Sequence, residues 1–189
     1  MKTLIIYAHP NTEGHNSTIL KEVKANLKEQ KQTFEVINLY KDKFDPVLSE
    51  EELVMGRKKK PTVQIKKYQE KIKQSKQLIL IYPIWWGSMP AILKGFIDRV
   101  LSAGFAFKYV NGRPVGLLKG KIAKIFITTG GPKIIYKFLG NVPKRSIKTS
   151  VMMFCGIKTK VYHMGGCQTL DDKKISKIRI WVKKAFKNL

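Results

Sequence analysis

The apolar run Leu78–Tyr82 ends at Pro83, passes through a turn rich in Trp, Gly and Pro, and resumes as a helical pattern from about Pro90 to Leu101. A strand without polar alternation is buried on both faces, which is the condition of a parallel sheet. Parallel neighbours in turn need long crossover connections, usually helices. This one stretch therefore constrains the chain to an α/β layer architecture, and the remaining sequence follows the same rhythm.

Thr3–Ala8 predicts a first strand, followed by a polar loop His9–Asn16 and a helix with Ile19, Leu20, Val23 and Leu27 on one face. Asn16 or Ser17 is the expected cap of that helix. Thr33–Leu39 reads as a second strand, Phe44-Asp45-Pro46 as a turn, and Ser49-Glu50-Glu51-Glu52 as a capping signature opening a short helix. Gly56 to Pro61 breaks that helix, and a lysine-rich amphipathic helix is expected over Val63–Gln74. After the third strand and its helix, Gly112–Gly120 reads as a connection and Ile122–Thr128 as a fourth strand. A short segment at Ile134–Asn141, a helix at about Ile147–Phe154 and a fifth strand at Lys160–Met164 follow. A last helix, capped by Asp171 or Asp172, carries Ile175, Ile178, Val182, Ala185 and Phe186. Alternating strands and helices predict a five-stranded parallel sheet with helices on both faces, in one domain over residues 1–189.

Composition narrows the function. The chain has 189 residues, 43% of them hydrophobic, enough for one core. No apolar stretch approaches a membrane span and no secretory leader stands at the start, so membrane insertion is not expected and the location is cytoplasmic by default. A net charge of +24 attracts anions, but the excess is lysine dispersed along the chain, with one short block at Arg57-Lys58-Lys59-Lys60. No zinc-finger spacing, K-homology loop or aromatic RNA-binding signature accompanies it, so specific nucleic-acid binding is not expected. Cys155 and Cys167 have no redox-pair spacing.

Three loops should emerge at the carboxyl edge of the sheet, where open α/β sheets bind ligands. The first, with His9, His15, Asn16, Ser17 and Thr18, ends at a helix start whose N–H groups suit a phosphate, although ordinary capping explains it nearly as well. It lacks both the dinucleotide Gly-x-Gly-x-x-Gly fingerprint and a P-loop ending. The second carries Pro83, Ile84, Trp85, Trp86 and Gly87, and two adjacent indoles in a turn cannot easily both point inward. The third, Thr128-Thr129-Gly130-Gly131, can bring bare backbone donors close to a ring. Together they fit a flat, phosphate-bearing redox cofactor that would carry the hard chemistry. His9, His15 and His163 show no metal-binding spacing, and no Gly-x-Ser-x-Gly elbow exists.

Four motifs, IYAHPNTEGHNSTIL, LYKDKFDPVLS, YPIWWGSMPAILKGFIDRVLSAGFAF and TTGGPKIIY, resemble the flavodoxin-like NAD(P)H dehydrogenases (quinone). That group includes DT-diaphorase, bacterial drug-activity modulators and potassium-efflux ancillary oxidoreductases. The resemblance implies a flavodoxin-like fold and ping-pong hydride transfer, from NADPH or NADH through flavin N5 to a quinone. It implies FMN, with FAD as runner-up. His9, His15, Asn16 and Thr18 would contact the flavin's phosphate portion, and Pro83, Ile84, Trp85 and Trp86 one side of its ring. Gly130, Gly131 and Tyr136 would lie at the end where charge develops, which makes them the catalytic candidates. The resemblance also implies a homodimer with the site at the interface, where Phe105, Phe107 and Tyr109 would face the partner or simply pack in the core. A regulatory subunit of a potassium-efflux system and a flavodoxin-type electron carrier are the competing functions. Two departures stand out: Gly14-His15 replaces a common serine-phenylalanine, and Val142 sits where DT-diaphorase has a second active-site histidine.

Overall fold

In chain order the elements are β1 (Thr3–Tyr7), α1 (His15–Glu29), β2 (Phe34–Asn38), α2 (Glu50–Arg57), α3 (Val63–Gln74), β3 (Gln77–Pro83) and α4 (Ala91–Val100). They continue with β4 (Phe107–Val110), β5 (Arg113–Gly116), β6 (Ile122–Thr128), α5 (Lys133–Phe138) and α6 (Val142–Arg145). A π-helix (Ser146–Met153), β7 (Lys158–Met164) and α7 (Asp172–Lys187) complete the chain. The computed structural model describes residues 2–57 and 60–187; Lys58 and Lys59 of the basic block lie outside the described residues.

Five strands form one parallel sheet in the order β2-β1-β3-β6-β7. This is the expected fold class, with β1 and β3 flanking the switch point of the winding. The strands alternate their side chains between two apolar layers, as the pleat requires. Ile5, Tyr7, Ile79, Ile81 and Phe126 pack with α1 and α7 through Ile19, Val23, Leu27, Ile178 and Val182. Leu4, Ile6, Leu78, Leu80 and Ile125 pack on the other face against α3 and α4. Each such side chain contributes roughly 1.5–3 kcal/mol on burial.

Three local expectations are corrected. Neither Asn16 nor Ser17 caps α1: the cap position is Gly14, at φ 125°, with no side-chain cap bond. The first helix starts one residue before Asn16 because Asn16 is bound elsewhere, as described below. The Gly112–Gly120 connection is instead the second strand of an antiparallel hairpin, β4 with β5, turned by Asn111 and Gly112 at positive φ. That is an Asn-Gly signal for a type I′ turn. The helix placed at Ile147–Phe154 is a π-helix running on from α6. The Ser49 cap was read correctly, with Glu52 N–H donating to Ser49 Oγ at 3.1 Å.

Two of the quoted motifs are specific together because they touch. Phe44 inserts between Tyr68 and Phe96, with ring centroids at 5.6 and 5.3 Å. Pro46 lies so close to α4 that a Cβ on Gly95 would fall 2.1 Å from the Pro46 carbonyl oxygen. Arg99, also on α4, makes a two-pronged pair with Glu52 of α2 (2.6 and 2.7 Å) and donates to the Asp45 carbonyl. One buried guanidinium thus ties α4, α2 and the chain after β2 into a single layer.

Candidate functional site

At the carboxyl edge of the sheet, main-chain bonds stitch neighbouring strand ends together. Ala8 N–H donates to Ile81 O (3.0 Å), Ile84 N–H to Thr128 O (2.8 Å) and Thr129 N–H to Met164 O (3.0 Å). The three predicted loops therefore do leave the sheet side by side.

In the first loop, His9 Nδ1 accepts from Asn11 N–H at 3.1 Å, and its ring lies 6.0 Å from that of Trp85. The loop after β1 thus meets the loop after β3. Ser17 Oγ and Thr18 Oγ1 both donate to the Gly14 carbonyl, at 2.9 and 2.8 Å. Their protons are committed, so the anion-binding capacity of this helix end lies in the first-turn N–H groups, which have no intrahelical acceptor. Asn16 is buried and donates through Nδ2 to Thr128 Oγ1 at 2.9 Å, 112 residues away. Its Oδ1 and the Nε2 of His15 are buried without a partner among the described residues. Burial and the Lys174 cation push the His15 pKa down, against a smaller opposing effect of Asp171, so its imidazole is neutral near pH 7.

The second loop is a tight turn in which Trp85 and Ser88 exchange both main-chain bonds at 2.9 Å. Trp86 and Gly87 occupy its centre at φ 49° and 73°. Positive φ at both central positions is costly for a bulky residue. The turn holds the Trp86 indole wholly in solvent and Trp85 partly so, while Pro83 and Ile84 are buried at its base.

The third loop is fastened from below. Thr129 is buried, and its hydroxyl donates to the Gly131 carbonyl at 3.0 Å. His163 Nε2 lies 2.9 Å from the same hydroxyl oxygen, and with that proton already committed the imidazole is the donor. Gly166 N–H and Cys167 N–H bond Gly131 O and Thr129 O at 3.0 and 2.9 Å. Above this clamp the space beside Gly131 is open, and a Cβ on Gly130 would meet only Gln168 Cγ at 3.8 Å. Tyr136, half-buried, packs edge-on against His163 at 5.4 Å.

His163 was named in the sequence only as a histidine without metal spacing. Nothing around it signals the Thr129 or Tyr136 contact, since both depend on β6 and β7 being neighbours. Burial, then the Lys133 and Lys144 cations, push its pKa down to about 4 from 6.5. The fold binds the neutral ring, so its contribution is complete above about pH 6.5 and disappears as the pH falls toward about 4. Over that interval the urea midpoint of the parent is expected to fall further than that of His163→Gln. Parallel curves would show that the neutral ring is not what the fold selects.

Phe105 and Phe107 pack against the core, Phe107 also on Phe154 at 4.8 Å, whereas Tyr109 is exposed. A cavity of about 670 Å³ lies between α2, α3, α4, the hairpin and the π-helix. It touches the second loop through Ser88 and Met89 but neither of the other two. A further cavity of about 550 Å³, bounded by Tyr7, His9, Asn11, Ser17 and Tyr40, opens beside the first loop.

A parallel sheet with this strand order and a ligand-ready switch point defines a flavodoxin-like protein. The family model described as the flavodoxin-like fold matches residues 1–181, and the chain belongs to that family. An NAD(P)H oxidoreductase of Haemophilus influenzae is 37% identical over 178 residues, 92% of this chain and 88% of that protein. Human ribosyldihydronicotinamide dehydrogenase [quinone] is 31% identical over 180 residues, 83% of this chain and 78% of that one. Among solved structures, Smu.1420 of Streptococcus mutans superposes with a TM-score of 0.88 at 34% identity over all of both chains. NAD(P)H:quinone oxidoreductase of Methanothermobacter marburgensis, at 24% identity, shares the fold with a TM-score of 0.86 over 100% of this chain and 96% of that one.

Proposed function

We propose that this protein is an NAD(P)H-dependent flavin oxidoreductase that reduces quinones, with FMN as its cofactor and the whole chain as one flavin-binding unit. The observation that carries the reading is the pair of buried polar atoms at the start of α1, Asn16 Oδ1 and His15 Nε2, that have no partner among the described residues. A buried polar atom left without a partner costs about 1–3 kcal/mol, which a bound ligand relieves. The quinone-reducing relatives and the family membership point the same way.

A bound flavin would supply the hydride-transfer chemistry between reduced nicotinamide and a quinone. The chain's own groups divide the remaining work. First-turn N–H groups of α1, with His9, Ser17 and Thr18 around them, hold the phosphate; a neutral His15 adds no charge, so the helix end carries that role. Asn16 gives one amide proton to Thr128, so its free Oδ1 would be available to accept from the flavin's side chain. Pro83, Ile84, Trp85, Trp86 and Gly87 would line one face of the ring. Thr129 presents the Gly130 and Gly131 backbone at the ring's far end, where donors stabilise developing negative charge. Tyr136 holds a proton there at its hydroxyl. Two copies of the chain complete the pocket, with the exposed Tyr109 of the hairpin toward the partner.

The purified protein is expected to show a flavin absorption spectrum that bleaches anaerobically with NADPH or NADH and returns on adding menadione. Heat release then identifies FMN. A chain that binds no flavin after reconstitution overturns the reading. Bound flavin that neither nucleotide bleaches makes the protein an electron carrier instead.

A further inference from the structure

We infer that the face carried by α5 docks on an anionic lipid bilayer. In α5 no side chain is buried, although most are apolar. Ile135, Phe138 and Leu139 share one side at helical spacing, and Phe138 and Leu139 are 84% and 64% exposed. Val142 continues the patch at 57% exposure. A contiguous apolar rim of this kind marks an interaction surface.

Charge decides what it meets. Between Asp98 and Asp171 the chain has no carboxylate side chain and 13 Lys and Arg residues. Lys133, Lys137, Lys144, Arg145 and Lys148 border the apolar rim, and none of the five is ion-paired among the described residues. Crowding is evident at Lys144, whose pKa is lowered by burial and then by the Lys133 and Lys148 cations. A second copy seated on this patch would oppose cation to cation, which is costly. Apolar side chains ringed by cations match an anionic headgroup layer over hydrocarbon, which meets both features at once. Among the described residues no helix is long and apolar enough to cross a membrane, so the contact is peripheral. Because α5 also bears Tyr136, and resting on the function proposed above, docking presents the site to quinones dissolved in lipid.

The test is flotation of the intact flavin-loaded protein with vesicles of phosphatidylcholine alone and with about one-third phosphatidylglycerol, near 0.1 M salt. Binding is expected only to the anionic vesicles and to weaken as salt rises. Phe138→Ser with Leu139→Ser should lower partitioning at least tenfold, and Lys137→Gln by about fivefold, as one cation at a charged surface is worth. Menadione reduction in solution should be unchanged in these variants, which separates docking from the flavin reading. Equal flotation with neutral vesicles, or none with anionic ones, overturns the inference while leaving that reading intact. So does a double-serine variant that turns a dimer into a monomer by light scattering, which would make the patch a contact between copies. Binding of RNA in preference to anionic vesicles overturns it as well.

Discussion

Gly165→Ala is expected to weaken flavin binding by roughly ten- to a hundredfold while the sheet remains folded. A Cβ at this position would lie 2.5 Å from Lys133 N and 2.9 Å from Gly131 O. Both are main-chain atoms, so no rotamer change relieves the contact; the loop after β6 must move away from the loop after β7. That movement strains the Gly166 N–H bond to Gly131 O and displaces the two glycines proposed to face the ring. Overpacking of this kind costs about 1–3 kcal/mol, and about 1.4 kcal/mol is a factor of ten in affinity. Fluorescence titration of apoprotein with FMN measures the change, and a thermal melt monitors the fold. An unchanged dissociation constant with an intact fold would remove Gly130 and Gly131 from the flavin site.

Arg99→Leu is expected to destabilise the protein by about 3–5 kcal/mol, because it leaves the Glu52 carboxylate buried without its cation. The side chains of this pair are 7% and 12% exposed, so solvent does little to screen it. Arg99 also donates to the Asp45 carbonyl and lies over the Phe44 ring at 5.2 Å. At about 2–4 °C per kcal/mol for a chain of this size, the melting midpoint should fall by roughly 10 °C. Adding Glu52→Leu should restore much of the loss, since removing both charges abolishes the unpaired one. A double variant no more stable than the single one would show that the Asp45 and Phe44 contacts, not the ion pair, dominate.

Much of the fold was legible because backbone periodicity is local. The continuous apolar runs at Thr3–Ala8, Leu78–Tyr82 and Ile122–Thr128 correspond to β1, β3 and β6, and the helix expected at Val63–Gln74 matches α3 at both ends. At the start of α1 a distant contact overrides a local preference. Asn16 is a good cap by type, yet its amide is drawn to Thr128 across the sheet, which leaves Gly14 at the cap position. The Asn111-Gly112 turn is a different case, a hairpin signal present in the local sequence itself.

The sequence alone determined the α/β class, the three loops and their residues, because strand and helix periods and turn chemistry depend on neighbours a few positions apart. Only the tertiary structure decided which atoms in those loops remain free. Ser17 and Thr18 turn their protons to Gly14, Asn16 keeps an acceptor, and His163 reaches Thr129 from the next strand. Hydrogen-bond satisfaction is a property of the packed chain: Ser17 and Thr18 find a local partner, but the partners of Asn16 and His163 are set by strand order rather than by sequence distance.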